Sequence, residues 1–111
     1  MAVRKDALRK IVALKRQSAE QKVRALQLDV EGIEAAINDL IAGLKALDEG
    51  KAGIEAYFLA QAHGHVDRVI RDIDARNAAL LVRRSELDAA REALKRVFHS
   101  QERLDEVLPE G

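Results

Sequence analysis

The chain has 111 residues, and 34% of them are charged, against roughly a quarter in ordinary globular domains. Ala, Leu, Glu, Lys and Arg dominate, which is typical of long helices and coiled coils, and only three residues are aromatic. The formal net charge is zero and cysteine is absent, which excludes a disulfide framework, a thiolate nucleophile and a cysteine-based zinc site.

A heptad pattern marks the first half of the chain. Apolar residues alternate there at intervals of three and four, at Val23, Leu26, Val30, Ile33, Ile37, Leu40, Leu44 and Leu47. This spacing predicts a stripe that faces a partner helix. The stripe extends backward through Ala19, Val12 and Leu8, and Arg16 lies in it with its methylenes along the partner. The pattern predicts a helix over residues 5–48.

Two glycines, Gly50 and Gly53, predict a turn over residues 49–53, and Gly50 suits a left-handed helix cap. A connection this short predicts that a second helix, over residues 54–106, returns antiparallel to the first. Residues 107–111 are predicted to fray near Pro109. The expected fold is therefore all-α, a single domain formed by a two-helix antiparallel coiled-coil hairpin.

The second predicted helix has one apolar anchor in every seven residues, at Val66, Ile73, Leu80, Leu87 and Leu94. The intervening positions of its stripe are mixed: Ile70, Asn77, Arg84, Arg91 and Phe98. A buried Asn77 is expected to fix the register. A flanking apolar row consists of Val69, Ala90, Val97 and Leu104. Folding about the turn places Leu47 opposite Ile54 and Leu8 opposite Leu94.

Catalytic and metal-binding patterns are weak in this sequence. His63 and His65 lie two positions apart, so on a helix they point about 200° away from each other and cannot share an ion unless Gly64 breaks the helix. No phosphate-binding loop or nucleophile pattern is present, and a two-helix hairpin offers no concave pocket. We expect no enzymatic activity, no metal, no cofactor and no small-molecule substrate.

Charge is distributed unevenly. Residues 1–24 contain eight Lys and Arg against two acids, whereas residues 25–50 contain six acids against one Lys. Antiparallel pairing would bring Arg84, Arg91, Lys95 and Arg96 to the same open end as the N-terminal cations. This end is either an ordinary solvated face or a binding surface for an acidic partner. Nucleic acid is a weaker candidate, because acids share this end and no aromatic residues stand ready to stack bases.

Two aromatic residues lie near the predicted turn. Phe58 belongs to the predicted stripe and is expected to be structural, whereas Tyr57 points elsewhere and is expected to be exposed. Exposed aromatic side chains at a helical tip can anchor a protein partner.

The chain also resembles a known family. Residues 11–26 (IVALKRQSAEQKVRAL), the heptad stripe, the short turn and the Arg/Ala/Leu-rich residues 76–91 (RNAALLVRRSELDAAR) resemble FliJ-like flagellar export proteins and their type III secretion counterparts. The resemblance covers most of the chain. It implies a stalk and chaperone escort, whose open end inserts into a hexameric export ATPase and whose other parts contact the export gate and export chaperones.

The resemblance also implies two groups of binding residues. The ATPase-facing open end would comprise Arg4, Arg9, Lys10, Arg16, Arg91, Lys95 and Arg96. The gate-facing part of the return helix would comprise Tyr57, His65 and Val69.

We expect a cytoplasmic protein, at most peripheral to a membrane. The basic N-terminus has no apolar run behind it, so no secretory signal peptide is expected, and no segment approaches the ~20 apolar residues that span a bilayer. The alternative function is a generic coiled-coil adapter that self-associates through the flanking row defined above. A nucleic-acid-binding hairpin is the third alternative.

Overall fold

The computed structural model describes residues 2–48 and 53–108, which form three helices and no strand. Helix α1 comprises Ala2–Asp48, α2 comprises Ile54–Ala62, and α3 comprises His65–Val107. The fold is all-α, as predicted. The predicted turn at residues 49–53, apart from Gly53, lies outside the described residues, as do residues 109–111 of the predicted tail. Val107, placed in that tail by the sequence, still belongs to α3.

The predicted single helix over residues 54–106 is two helices in the structure. Gly64 separates them with a φ of 67°, a left-handed conformation that residues with a Cβ adopt at a cost. Its N–H donates to the carbonyl of Gln61 at the end of α2, and its own carbonyl accepts from the N–H of Arg68 in α3. Gly64 therefore ends one helix and begins the next.

Glycine substitutions should have opposite effects at two positions. Gly43 lies inside α1 with open space where a Cβ would project, so Gly43→Ala should raise the free energy of unfolding by about 0.5–1 kcal/mol. Gly64→Ala should lower it by about 1 kcal/mol, because alanine disfavours a positive φ. Urea denaturation followed by circular dichroism measures both changes. Equal effects at the two sites would contradict the break at Gly64.

Two compact units make up the chain. The terminal unit comprises residues 1–28 and 84–111, and the middle unit comprises residues 29–83. In the terminal unit the buried side chains are Leu26, Leu87 and Ala90. In the middle unit they are Val30, Ile37 and Leu80. Each unit thus buries a thin apolar core built from a few small or branched side chains.

The heptad stripe predicted on α1 is confirmed by burial, because all eight residues from Val23 to Leu47 are buried or half-buried. Toward the N-terminus, however, the half-buried position is Arg9, whereas Leu8 is 43% exposed. The intervals of the stripe alternate between three and four residues, so the position before Val12 is Arg9, three residues earlier, rather than Leu8. The long side chain of Arg9 can cover the partner helix with its methylenes while its guanidinium finds an acceptor.

The anchor row of α3 is also confirmed, but the intervening positions were wrong. Four of these positions are exposed: Ile70, Asn77, Arg84 and Arg91. Phe98 is 36% exposed. The inner positions are instead Val69, Arg76, Ala90, Val97 and Leu104, which are buried or half-buried. The row predicted to flank the stripe is therefore part of it. Asn77 does not fix a buried register.

The terminal unit packs α1 antiparallel to α3. The guanidinium of Arg9 donates to the carbonyl of Leu108, and further along α1 the guanidinium of Arg16 donates to the side chain of Gln101. The predicted pairing of Leu8 with Leu94 is wrong by about fifteen residues, or roughly 22 Å along a helix. That pairing assumed that α2 packs residue for residue against α1, yet Ile54, Phe58 and Leu59 of α2 remain largely exposed.

Candidate partner-binding surface

The four α1 cations predicted to face an ATPase divide into two groups. Arg4 and Lys10 are exposed. Arg9 and Arg16 are half-buried, and both make contacts within the terminal unit. The inner stripe of α1 explains this division, because Arg9 and Arg16 lie seven residues apart on the face that packs against α3. In the isolated chain, these two arginines therefore contribute to the packing of α1 against α3.

Arg16 contacts three other side chains at one level of the terminal unit. Its Nε lies 2.7 Å from Oε1 of Glu20, one turn further along α1. Its Nη1 donates to Oε1 of Gln101 at 3.2 Å, and its guanidinium carbon lies 4.5 Å from the ring centroid of Phe98. The guanidinium thus combines an ion pair, a hydrogen bond across the helices and a cation–π contact.

A double-mutant cycle tests this cluster. Arg16→Ala and Phe98→Ala should each destabilise the protein, and their coupling free energy should be about 0.5–1 kcal/mol, the usual size of an exposed cation–π contact. Urea denaturation of the two single variants and the double variant gives the value. Arg4→Ala with Phe98→Ala serves as the control cycle, because Arg4 is exposed. Coupling near zero for Arg16 and Phe98 would contradict the contact.

The three predicted cations of α3, Arg91, Lys95 and Arg96, are all exposed. Nζ of Lys95 lies 3.4 Å from Oε1 of Glu92, but the Lys95 side chain remains 73% exposed, so this pair is weak. Arg96 lines two shallow, open grooves on α3. The side chains beside it are Lys95, His99 and Arg103 together with Glu92, Phe98, Ser100 and Glu102. Sequence reasoning omitted His99 and Arg103 from this surface.

The whole terminal unit is basic. Residues 1–28 and 84–111 contain thirteen Lys and Arg against nine Asp and Glu. The middle unit, residues 29–83, has the opposite balance, with ten Asp and Glu against six Lys and Arg. A basic surface of this kind attracts carboxylate-rich partners and speeds their association at low ionic strength.

The residues predicted to face an export gate do not form one exposed surface. His65 is exposed at the start of α3, but Val69 is half-buried in the inner stripe. Tyr57 on α2 is half-buried, and its hydroxyl accepts a hydrogen bond of 3.2 Å from Nε2 of Gln61.

The expected exposure of the two aromatic residues is reversed. Phe58 is 64% exposed, and its ring meets that of Tyr57 edge to face with centroids 6.1 Å apart. The break at Gly64 separates α2 from the heptad of α3, so the stripe no longer determines which aromatic side chain turns inward. Phe58, Ile54 and Tyr57 line an open groove with Leu47 and Asp48 of α1.

No group of three or more potential metal ligands is found among the described residues, and His63 and His65 are both exposed there. Within the same part of the chain, none of the helices combines the length and apolar character needed to cross a membrane.

The structure therefore defines a class, an all-α protein whose terminal unit is an antiparallel helix pair with a basic surface. Compared with protein-family models, with curated proteins and with solved structures, the chain shows no match.

Proposed function

We propose that this chain is an antiparallel coiled-coil hairpin that acts by binding other proteins and catalyses no reaction itself. In its most specific form, the proposal is a FliJ-like cytoplasmic component of a flagellar or type III export apparatus. It would bind the export ATPase ring, the export gate and export chaperones. The observation that supports this most is the antiparallel packing of the terminal unit, which keeps five of the seven predicted cations exposed.

The ATPase-facing surface then rests on Arg4 and Lys10 of α1 and on Arg91, Lys95 and Arg96 of α3. Their charges stand on the solvent side of the helix pair, where a partner's carboxylates can reach them. Arg9 and Arg16 support this surface by holding α1 against α3. The gate-facing role passes to His65 and to the exposed Phe58, since Val69 is part of the packed stripe.

The test is a binding titration of the full chain against the export ATPase of the same organism over a range of ionic strength. We expect binding at low salt, stimulation of ATP hydrolysis, and an affinity that falls as salt screens the exposed charges. Absence of binding at low salt would overturn the proposal.

The alternative function, a generic adapter, was based on self-association through an apolar row of α3. Its row of Val69, Ala90, Val97 and Leu104 is occupied by packing inside the chain, and Ala90 is only 5% exposed. Self-association through these residues would require α3 to leave α1.

A further inference from the structure

In the terminal unit, the side of α1 that faces away from α3 is both cationic and apolar. Over residues 4–28, the positions on this outward side contain no Asp or Glu. Large apolar side chains on it are well exposed, with Leu8 at 43%, Ile11 at 50%, Leu14 at 56% and Leu28 at 53%. The cations on it are all exposed: Arg4, Lys10, Lys15, Lys22 and Arg24. A helix that packs through one stripe normally has charged or polar residues opposite that stripe, so these apolar side chains indicate a second contact.

The two acids of this segment lie on another side of the helix. Oε1 of Glu20 is 2.7 Å from Nε of Arg16, which belongs to the inner stripe. Asp6 is two heptads before Glu20 and therefore lies on the same side of α1 as Glu20. The outward side of α1 thus keeps its positive charge undiluted.

Helix α3 has no comparable side in the terminal unit. Its residues 84–108 contain five Lys and Arg against six Asp and Glu. Acids stand among its exposed cations, since Oε1 of Glu92 lies 3.4 Å from Nζ of Lys95. The excess positive charge of the terminal unit therefore belongs to α1, whose residues 4–24 contain eight Lys and Arg against two acids.

We propose that the outward side of α1 binds the surface of a bilayer rich in anionic phospholipids, with the helix parallel to the membrane plane. Helices of this kind insert their apolar side chains at the boundary of headgroups and acyl chains, while lysine and arginine bind the phosphates. Lys10 and Arg24 border the apolar side chains along one edge, and Lys15 and Lys22 border them along the other. Both edges can therefore bind headgroups at once.

Polar residues within the apolar row favour a bilayer over a partner helix. Ser18 and Gln21 lie between Leu14 and Leu28, and both are exposed. A helix packed on this row would bury their polar groups, which costs free energy unless each group finds a hydrogen bond. At the level of the headgroups, water and phosphate oxygens remain available to them. An anionic bilayer also presents negative charge along the whole segment without any requirement for register.

This inference goes beyond the proposed function and can fail separately. Arg4 and Lys10 also belong to the proposed ATPase-facing surface, whereas Leu14, Lys15 and Lys22 do not. The variants that test the inference therefore change only the second group.

Co-sedimentation of the full chain with vesicles tests the contribution of charge. At 0.1 M salt, we expect binding to vesicles of phosphatidylglycerol and phosphatidylcholine in equal parts, and at least about tenfold weaker binding to phosphatidylcholine alone. Lys15→Glu/Lys22→Glu should weaken binding to the anionic vesicles at least about tenfold, because two attractive charges become repulsive. Circular dichroism establishes that each variant remains folded.

The control Lys95→Glu/Arg103→Glu makes the same charge change at exposed residues of α3. These residues lie about one helix diameter further from the bilayer, roughly 10 Å, which is also the screening length at this salt concentration. We expect the control to weaken binding by less than about threefold.

Because the chain has no tryptophan, a single one can report which side of the helix pair enters the bilayer. The emission of Leu14→Trp should shift to shorter wavelength when anionic vesicles are added, since the indole leaves water. His99→Trp is the control, because His99 is exposed on α3 at about the level of Ser18 in the register of the Arg16–Gln101 hydrogen bond. Its emission should not shift.

Absence of binding to the anionic vesicles would overturn the proposal and favour an acidic protein as the partner of this side of α1. Equal weakening by the two charge variants would also overturn it, because overall charge would then account for the attraction. A bound Leu14→Trp variant whose emission shifts no more than that of His99→Trp would contradict the proposed orientation.

Discussion

Leu80→Ala should lower the free energy of unfolding by about 2–4 kcal/mol, whereas Leu81→Ala should change it by less than about 0.5 kcal/mol. The two leucines are neighbours on α3, but Leu80 is 6% exposed and Leu81 is 68% exposed. Removing the Leu80 side chain leaves a cavity in the thin core of the middle unit. Removing the Leu81 side chain leaves no cavity, because that side chain is already exposed to solvent. Urea denaturation followed by circular dichroism provides both values.

The comparison is well matched because both substitutions replace leucine by alanine within the same helical turn, so helix propensity changes equally. Similar losses at the two positions would show that α3 buries a different face from the one described, and the inner stripe would have to be reassigned.

The proposed ATPase-facing surface predicts a second large effect. Replacing Arg91, Lys95 and Arg96 together by Glu should weaken binding to the export ATPase at least about tenfold at low ionic strength, because three attractive charges become repulsive. The steepness of the salt dependence should fall as well. Binding titrations at several salt concentrations measure both quantities.

A charge-matched control uses exposed cations of the middle unit: Lys45, Arg68 and Arg71 are replaced together by Glu. This variant should bind the ATPase as tightly as the wild type if the terminal unit carries the contact. Equal weakening by both triple variants would indicate attraction by overall charge rather than by the proposed surface.

The inner stripe of α1 could be predicted because apolar residues occupy nearly every one of its positions. The second position of the α3 stripe could not be predicted as reliably. The second residue of the stripe lies either three or four residues after each anchor. The first alternative includes Arg76 and the second includes Asn77, and neither side chain is apolar. Only packing distinguishes the two, and it selects the series containing Ala90 and Val97.

The break between α2 and α3 depends on a single residue. A glycine within a helical pattern can continue the helix, as Gly32 and Gly43 do in α1, or adopt a positive φ, as Gly64 does. The register was predicted from an unbroken return helix, and beyond the break the predicted pairing of Leu8 with Leu94 differs from the observed contacts of Arg9 with Leu108 and of Arg16 with Gln101.

The sequence identifies the cations of the candidate surface. It does not show which of their side chains are exposed. Whether an arginine binds a partner or holds the fold depends on what lies across from it. Arg16 has Phe98 and Gln101 across from it only in the observed register. Local sequence could identify its ion pair with Glu20, which lies four residues away on the same helix.

The antiparallel packing of the terminal unit is tested most directly by engineered disulfides in this cysteine-free chain. Arg16→Cys/Gln101→Cys should form an intramolecular disulfide faster than a pair taken from another register, because the hydrogen bond between the two native side chains places residues 16 and 101 at the same level of the helix pair. Arg16→Cys/Glu86→Cys, which follows the register predicted from the sequence, should remain reduced under the same conditions. Faster closure of the second pair than of the first would contradict the helix pairing on which the proposed function depends.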